Sequence, residues 1–416
     1  MSCTYDFETL LERHGHDAIA VDCVGDPDMA GFAPAAPKEG FDTIPLWEEG
    51  FDTIPLWVAD MNFPTAKSVT EAVIERASHP AFGYFKTSEK YYSAIAWWHK
   101  VRKGVDDITP EVVTYENGVL GGLVSALQVF AAPGDSVLLH SPTYMGFTGT
   151  LRANGYHIVH SPLVRDADGT WRMDYEDMDR KIKKNHIHAA IFCNPHNPAG
   201  RVWSHDEIAK AMEVYERNDC FVISDEIWSD LMMNGHTYTP AQSVSPWAKT
   251  HTVGLYAPSK TFNLAGLIGS YSVIYDKTIR ERAKANGDRT HYNEMNVLSQ
   301  HALVGAYSEE GANWLDQLLP VLSTNVNLAD SFVREKFGGV SAFKTEGTYM
   351  MLLDLHDFLQ KSGLTQQEVL KKGWEYGIGW QDGRLFEAPE GIRLNLASPT
   401  SRIREAFERM EKYIFI

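Results

Sequence analysis

The chain has 416 residues, 44% of them hydrophobic, 12% aromatic and 22% charged, a balance ordinary for a globular protein. That length is too great for one ordinary core and points to two or three lobes of one compact protein. A formal charge of −17 argues against nucleic-acid and anionic membrane surfaces as partners, and no apolar run reaches the roughly 18 residues needed to span a bilayer.

The first residues, Met1 to Glu8, lack the basic start and apolar stretch of a secretion signal, so the cytoplasm is the expected address. Cys3, Cys23, Cys193 and Cys220 are scattered without a CxxC pair, which indicates neither a disulfide framework nor a zinc site. Residues 39–47 recur identically at 49–57. Two copies cannot build a solenoid. The repeat reads as a local duplication lengthening a surface segment, with a regulatory or substrate-gating insert as the alternative.

From residue 118 the chain alternates strand and helix. Gly118-Val119-Leu120-Gly121-Gly122 opens an apolar helical run to about Ala131. Free N–H groups at such a start, beside glycines that permit close approach, suit a phosphate, although plain close packing uses the same residues. Strand runs follow at 136–140, 189–193, 220–224, 253–256 and 269–275, with a helical segment at 206–216. Near-continuous apolar strands separated by helices indicate an α/β protein with a largely parallel sheet covered on both faces. In such sheets ligands bind beyond the carboxyl ends of the strands.

Those ends carry marked residues. Tyr144 follows the first run and can stack on a ring or simply pack in the core. Asn197, in Asn194-Pro195-His196-Asn197-Pro198-Ala199-Gly200, can donate to a phenolate oxygen or simply form a turn. Asp225, in Ser224-Asp225-Glu226-Ile227, can pair with a buried cationic nitrogen or cap a helix. Lys260, in Ala257-Pro258-Ser259-Lys260-Thr261-Phe262-Asn263, stands 35 residues after Asp225. A strand-end lysine and a strand-end aspartate can hold the two ends of an aromatic aldehyde, which is how enzymes handle pyridoxal 5'-phosphate. From about Trp314 the pattern changes to long helix, a strand at 349–354, more helix, and a final helix from Arg402 to Ile416. There Arg393 interrupts a strand pattern, either facing outward or clamping a substrate carboxylate with its planar fork. Two distractors fail: Ser341-Ala342-Phe343-Lys344 lacks the partner motifs of an SxxK enzyme, and His186 with His188 has no ligand cluster nearby.

Taken together, the glycine-rich helix start, tyrosine, Asn-Pro-Ala-Gly, strand-end aspartate, Ser-Lys and late arginine resemble the fold-type I pyridoxal-phosphate enzymes, the class I/II aminotransferase superfamily. The resemblance covers nearly the whole chain. Pro55-Leu56-Trp57-Val58-Ala59-Asp60-Met61, Phe82-Gly83-Tyr84 and the motifs around Asp225 and Lys260 look like its cystathionine β-lyase/cysteine-S-conjugate β-lyase branch. The resemblance implies a large domain with a mostly parallel seven-stranded sheet over 66–305 and a smaller discontinuous α+β domain from 1–65 and 306–416. It makes Lys260 the Schiff-base lysine, Asp225 the partner of the ring nitrogen and Asn197 the donor to the ring hydroxyl oxygen. Tyr144 becomes the stacking residue, Val119 and Leu120 backbone phosphate donors, Ser259 a further cofactor contact and Arg393 the carboxylate clamp. Tyr84 would reach the phosphate of a neighbouring subunit, which implies a homodimer with shared sites acting on a small amino-acid substrate.

Three positions depart from the pattern. Asn62 and Trp228 stand where the branch usually has aspartate and histidine, and Ile268 stands where many aminotransferases place a phosphate-binding arginine. The leading expectation is β-elimination from L-cystathionine or another cysteine S-conjugate. An aminotransferase shares the early steps, and a pyridoxal-phosphate-binding regulator without turnover is the third reading.

Overall fold

The structure, a computed structural model, describes residues 4–24 and 53–416. The first copy of the repeat and the start of the second lie outside the described residues.

A seven-stranded sheet is built from β1 (Val113–Glu116), β2 (Ser136–Ser141), β3 (His157–Pro162), β4 (Ala189–Cys193), β5 (Phe221–Asp225), β6 (Thr252–Tyr256) and β7 (Ser270–Val273). Their spatial order is β1-β7-β6-β5-β4-β2-β3. Only β7 runs against the rest, pairing antiparallel with β1 and β6. Strands β4 and β6 are buried along their full length, as expected for strands covered on both faces. One face packs against α2 (Val119–Phe130), where Leu123 and Leu127 meet Val253 and Leu255. Helix His205–Glu216 covers the other, with Ile208 and Met212 against Phe192 and Val222.

The pairing register decides where chemistry can collect. Cys193 lies opposite Asp225, and Asp225 opposite Leu255, so β4, β5 and β6 end level with one another. Asp225 is therefore the last residue of its strand rather than the first of the following loop. At the start of α2, Gly118 has φ +78°, a conformation that favours glycine. At Gly122 a Cβ would stand 2.9 Å from Leu255, so glycine is what lets the helix lie close against β6.

The C-terminal part forms an antiparallel sheet of β8 (Ser341–Ala342), β9 (Met350–Asp354), β10 (Gln381–Asp382) and β11 (Gly391–Asn395), in the order β8-β9-β11-β10. It packs with α3 (Glu309–Glu335) and α4 (Thr400–Tyr413). The final helix thus begins two residues before the expected Arg402, just past Pro399, which as the residue preceding the helix costs it no hydrogen bond. Strand Ile54–Pro55 pairs parallel with Ile378–Gly379, which brings residues near the N-terminus onto this part of the molecule. An apolar cluster including Trp98 of α1 (Glu89–Lys103), Phe262, Trp314 and Leu353 runs beneath both sheets.

Candidate active site

The level strand ends open into a cavity of about 300 Å³, lined by Val119, Leu120, Tyr144, Asn197, Asp225, Ser259 and Lys260, with Ala59, Trp228 and Ile268 among the others. Seven of the nine residues singled out from the sequence therefore face one space. Each arrives by a different local route. Val119 and Leu120 are the first two residues of α2, whose opening N–H groups lack intrahelical partners. Tyr144 follows β2 and packs edge-on against Phe147 at 5.4 Å. Asn197 lies in the buried turn after β4, and Lys260 lies four residues past the end of β6.

Asp225 is buried, and the Ile227 N–H donates to its Oδ1 at 3.0 Å. Burial pushes its carboxyl up to about 6, with the Ile227 bond and the charge of Lys260 working against the rise. Lys260 donates from Nζ to the carbonyl of Ala59 at 2.8 Å and sits 5.7 Å above the Trp228 ring. Burial and the positive charge of Arg393 push its amine down to about 8, against the pull of Asp60 and Asp225. A raised carboxyl and a lowered amine sharing one cleft are the kind of perturbed pair that marks a reactive site.

Arg393 is placed differently from the outward-facing alternative. Strand β11 is buried throughout, and Arg393 adjoins Asn197, one of the residues that line the cavity. It donates to Asn197 Oδ1 at 3.2 Å, to the Trp57 carbonyl at 3.2 Å and to Gln381 Oε1. Its Nε has no partner among the described residues, and its guanidinium stacks on Phe386 at 4.1 Å. Burial pushes it down to about 10, which leaves it cationic at neutral pH. Tyr84 is fully exposed and does not line the cavity.

The structure adds residues that spacing did not reveal. The Ala59 carbonyl accepts from Lys260 and, at 3.0 Å, from Tyr349. Trp228 is buried and packs edge-on against Tyr349 at 4.8 Å. Arg13 donates to Asn62 Oδ1 at 2.9 Å and pairs with Asp60, so Asn62 serves a clasp on the segment carrying Ala59. The Tyr292 hydroxyl accepts from the Asn117 N–H at 3.2 Å and covers the start of α2. No local signal marks Tyr292, which comes from a segment far along the chain. Ile268 is half exposed at the cavity rim and supplies no charge there.

Known proteins resemble this chain in sequence and fold. Cystathionine beta-lyase PatB of Bacillus subtilis is 38% identical over 413 residues, covering 98% of this chain and 99% of that protein. The structure of cystalysin from Treponema denticola, which contains a pyridoxal 5'-phosphate cofactor, superposes with a TM-score of 0.86 at 28% identity, covering 99% of this chain and 98% of that one. The pyridoxal-phosphate-bound C-S lyase from Staphylococcus hominis gives 0.85 at 27% identity, covering 100% and 99%. A profile of the family described as aminotransferase class I and II matches residues 52–410. With the profile matching most of its length and a relative 38% identical over 98% of it, the chain belongs to the class I and II aminotransferase family.

Proposed function

We propose that the protein is a pyridoxal-phosphate-dependent carbon–sulfur β-lyase that cleaves L-cystathionine or a related cysteine S-conjugate to a thiol, pyruvate and ammonia. The observation that carries the reading is the convergence of Lys260, Asp225, Asn197 and the opening N–H groups of α2 on one cavity. That donor set fits the cofactor group by group. Lys260 suits the aldehyde carbon, Asp225 the ring nitrogen, Asn197 the ring hydroxyl oxygen, and Val119 with Leu120 the phosphate. Tyr144 and Ser259 complete the wall. The name carried by PatB and the C-S lyase identity of the S. hominis protein support the reaction class.

When bound, pyridoxal phosphate supplies the electron sink that stabilises negative charge at the substrate Cα. The chain's own residues supply the rest. Lys260 takes the Cα proton, for which its amine must be neutral, and the dry surroundings that push it down to about 8 make that form far more accessible than in an ordinary lysine. Asp225 holds a proton on the ring nitrogen by pairing with it as a carboxylate. Arg393, still cationic, binds the substrate α-carboxylate, and Gln381 and the Trp57 carbonyl hold its fork in place. The Cβ–S bond then breaks, the sulfur leaves as thiol, and the released aminoacrylate hydrolyses to pyruvate and ammonia.

The deciding experiment is incubation of cofactor-loaded enzyme with L-cystathionine alone. Equal amounts of thiol and pyruvate are expected. Keto acid that forms only when an amino acceptor is added, without thiol, would instead establish the aminotransferase. The absence of an arginine at position 268 favours the lyase.

A second expectation concerns pH. Only the neutral amine attacks an aldehyde, so capture of pyridoxal phosphate by apoprotein should accelerate about tenfold per pH unit below about 8 and level off above it. Stopped-flow absorbance across pH 6 to 9.5 checks this, and a flat profile would contradict a lowered Lys260.

The same reading makes 66–305 the large domain and 1–65 with 306–416 the small one, supported by the pairing of Ile54–Pro55 with Ile378–Gly379. Tyr84, exposed on one protomer, would serve the phosphate of a second in a homodimer. Among the described residues no helix is long and apolar enough to cross a membrane. Cys193 and Cys220, buried as free thiols, suit a reducing compartment, and the cytoplasm is the proposed location.

A further inference from the structure

We propose that Glu226 is a positioning residue, a buried carboxyl group behind the cavity that locks the 194–200 turn to the end of β5 and so fixes Asn197 and Asp225 relative to one another. Neighbouring residues at a strand end point to opposite sides, so Asp225 faces the cavity while Glu226 turns away from it. Glu226 is completely buried, yet four donors from separate parts of the chain converge on it. Oε1 accepts from Ser224 Oγ at 2.6 Å and from the Ala241 N–H at 3.1 Å. Oε2 accepts from Asn194 Nδ2 at 3.2 Å and from the Tyr238 hydroxyl.

Two of these donors cannot reverse. A backbone N–H and an amide –NH₂ only donate, and they address different oxygens, so both oxygens must accept. A carboxylate satisfies all four at once. An amide in its place sets an –NH₂ against one fixed donor whichever way it turns. Burial pushes Glu226 up to about 7, with the Ser224, Tyr238 and Ala241 bonds and the charge of Lys103 opposing. Lys103, at the end of α1, pairs with Asp230 and lies 5.3 Å from the Tyr238 ring, which places compensating charge beside the group.

The hub acts on the turn that matters. The Asn194 N–H donates to the Asp225 carbonyl at 2.9 Å, and its side chain ties to Glu226 and, at 2.8 Å, to the Thr239 carbonyl. Asn197 follows three residues later. Glu226 thus connects the two loops whose groups would meet the ring nitrogen and the ring hydroxyl of the cofactor, while touching neither.

The inference rests on reading Asp225 and Asn197 as cofactor groups, and the test separates the two claims. Apoprotein of wild type, Glu226→Gln and Tyr238→Phe is titrated with pyridoxal phosphate by tryptophan fluorescence. The pH midpoint of the visible absorption change is then measured on loaded protein, and apoprotein melting is recorded beside it. Glu226→Gln should weaken cofactor binding about 10-fold or more, the scale of a lost outer contact, and move the midpoint by about one unit. Tyr238→Phe, which removes one donor, should move both in the same direction by less. No binding by wild type would overturn the cofactor reading itself. Tight wild-type binding with unchanged affinity and midpoint in Glu226→Gln, whatever its melting temperature, would overturn the role of Glu226 alone. Should Glu226→Gln fail to fold, an unchanged affinity and midpoint in Tyr238→Phe overturns it equally.

Discussion

Replacing Lys260 with alanine is expected to lower turnover of L-cystathionine by at least about 10⁴-fold, because one residue supplies both the covalent anchor and the base. The visible absorption of cofactor-loaded protein should vanish with it, since among the described residues no other lysine lines the cavity. The fold should survive. The ordinary lysine value lies well above the lowered one, so the charged amine is disfavoured in the folded protein. Its cost is present below about pH 8 and fades as pH rises through the window up to 10.5. Alanine removes that cost together with the bond to the Ala59 carbonyl, so melting of the apoprotein at pH 7 should change little. Steady-state thiol release, an absorption spectrum and a melting curve check the three expectations. Turnover above about 1% of wild type would remove Lys260 from the chemistry, since a base alone is worth about 10².

Asp225→Asn should reduce kcat by about 10²–10³-fold, the scale of losing one preorganised charge in a water-excluded site. Its effect on stability should have the opposite sign. Burial raises Asp225 from 3.8 to about 6, so the folded apoprotein favours the neutral acid, and stability falls as pH rises through that window. At pH 7 the ionised carboxylate is an unrelieved cost that asparagine lacks, and the variant apoprotein should melt higher than wild type. Adding pyridoxal phosphate should then stabilise wild type more than the variant, because only the carboxylate gains a cationic partner. A variant apoprotein that melts lower, or that keeps full kcat, would show that Asp225 is a structural cap. Both expectations follow from one feature, a carboxylate buried with almost no protein partners.

Much of this architecture is legible along the chain. The apolar runs at 189–193 and 253–256 are found as buried strands at those places, because strands covered on both faces have no polar side to alternate with. The register then places Asp225 and the turn carrying Asn197 side by side. Arg393 was visible only as an irregularity. Its burial beside Asn197 and its contact with Gln381 depend on how the antiparallel sheet packs against the strand ends.

The sequence by itself determined the strand-end position of Asp225, the loop past β6 that carries Lys260 and the helix start at Val119, because each is set by local pattern: apolar period, strand length and a glycine that tolerates φ +78°. Only the tertiary structure decided what surrounds them. The Ala59 carbonyl under Lys260, the Trp228 ring beneath it, Tyr292 over the helix start and the four donors on Glu226 each join segments that no local periodicity relates. Burial that moves Lys260 to about 8 and Asp225 to about 6 is likewise a property of the closed cavity, since it is the removal of water by distant segments that makes either charge costly.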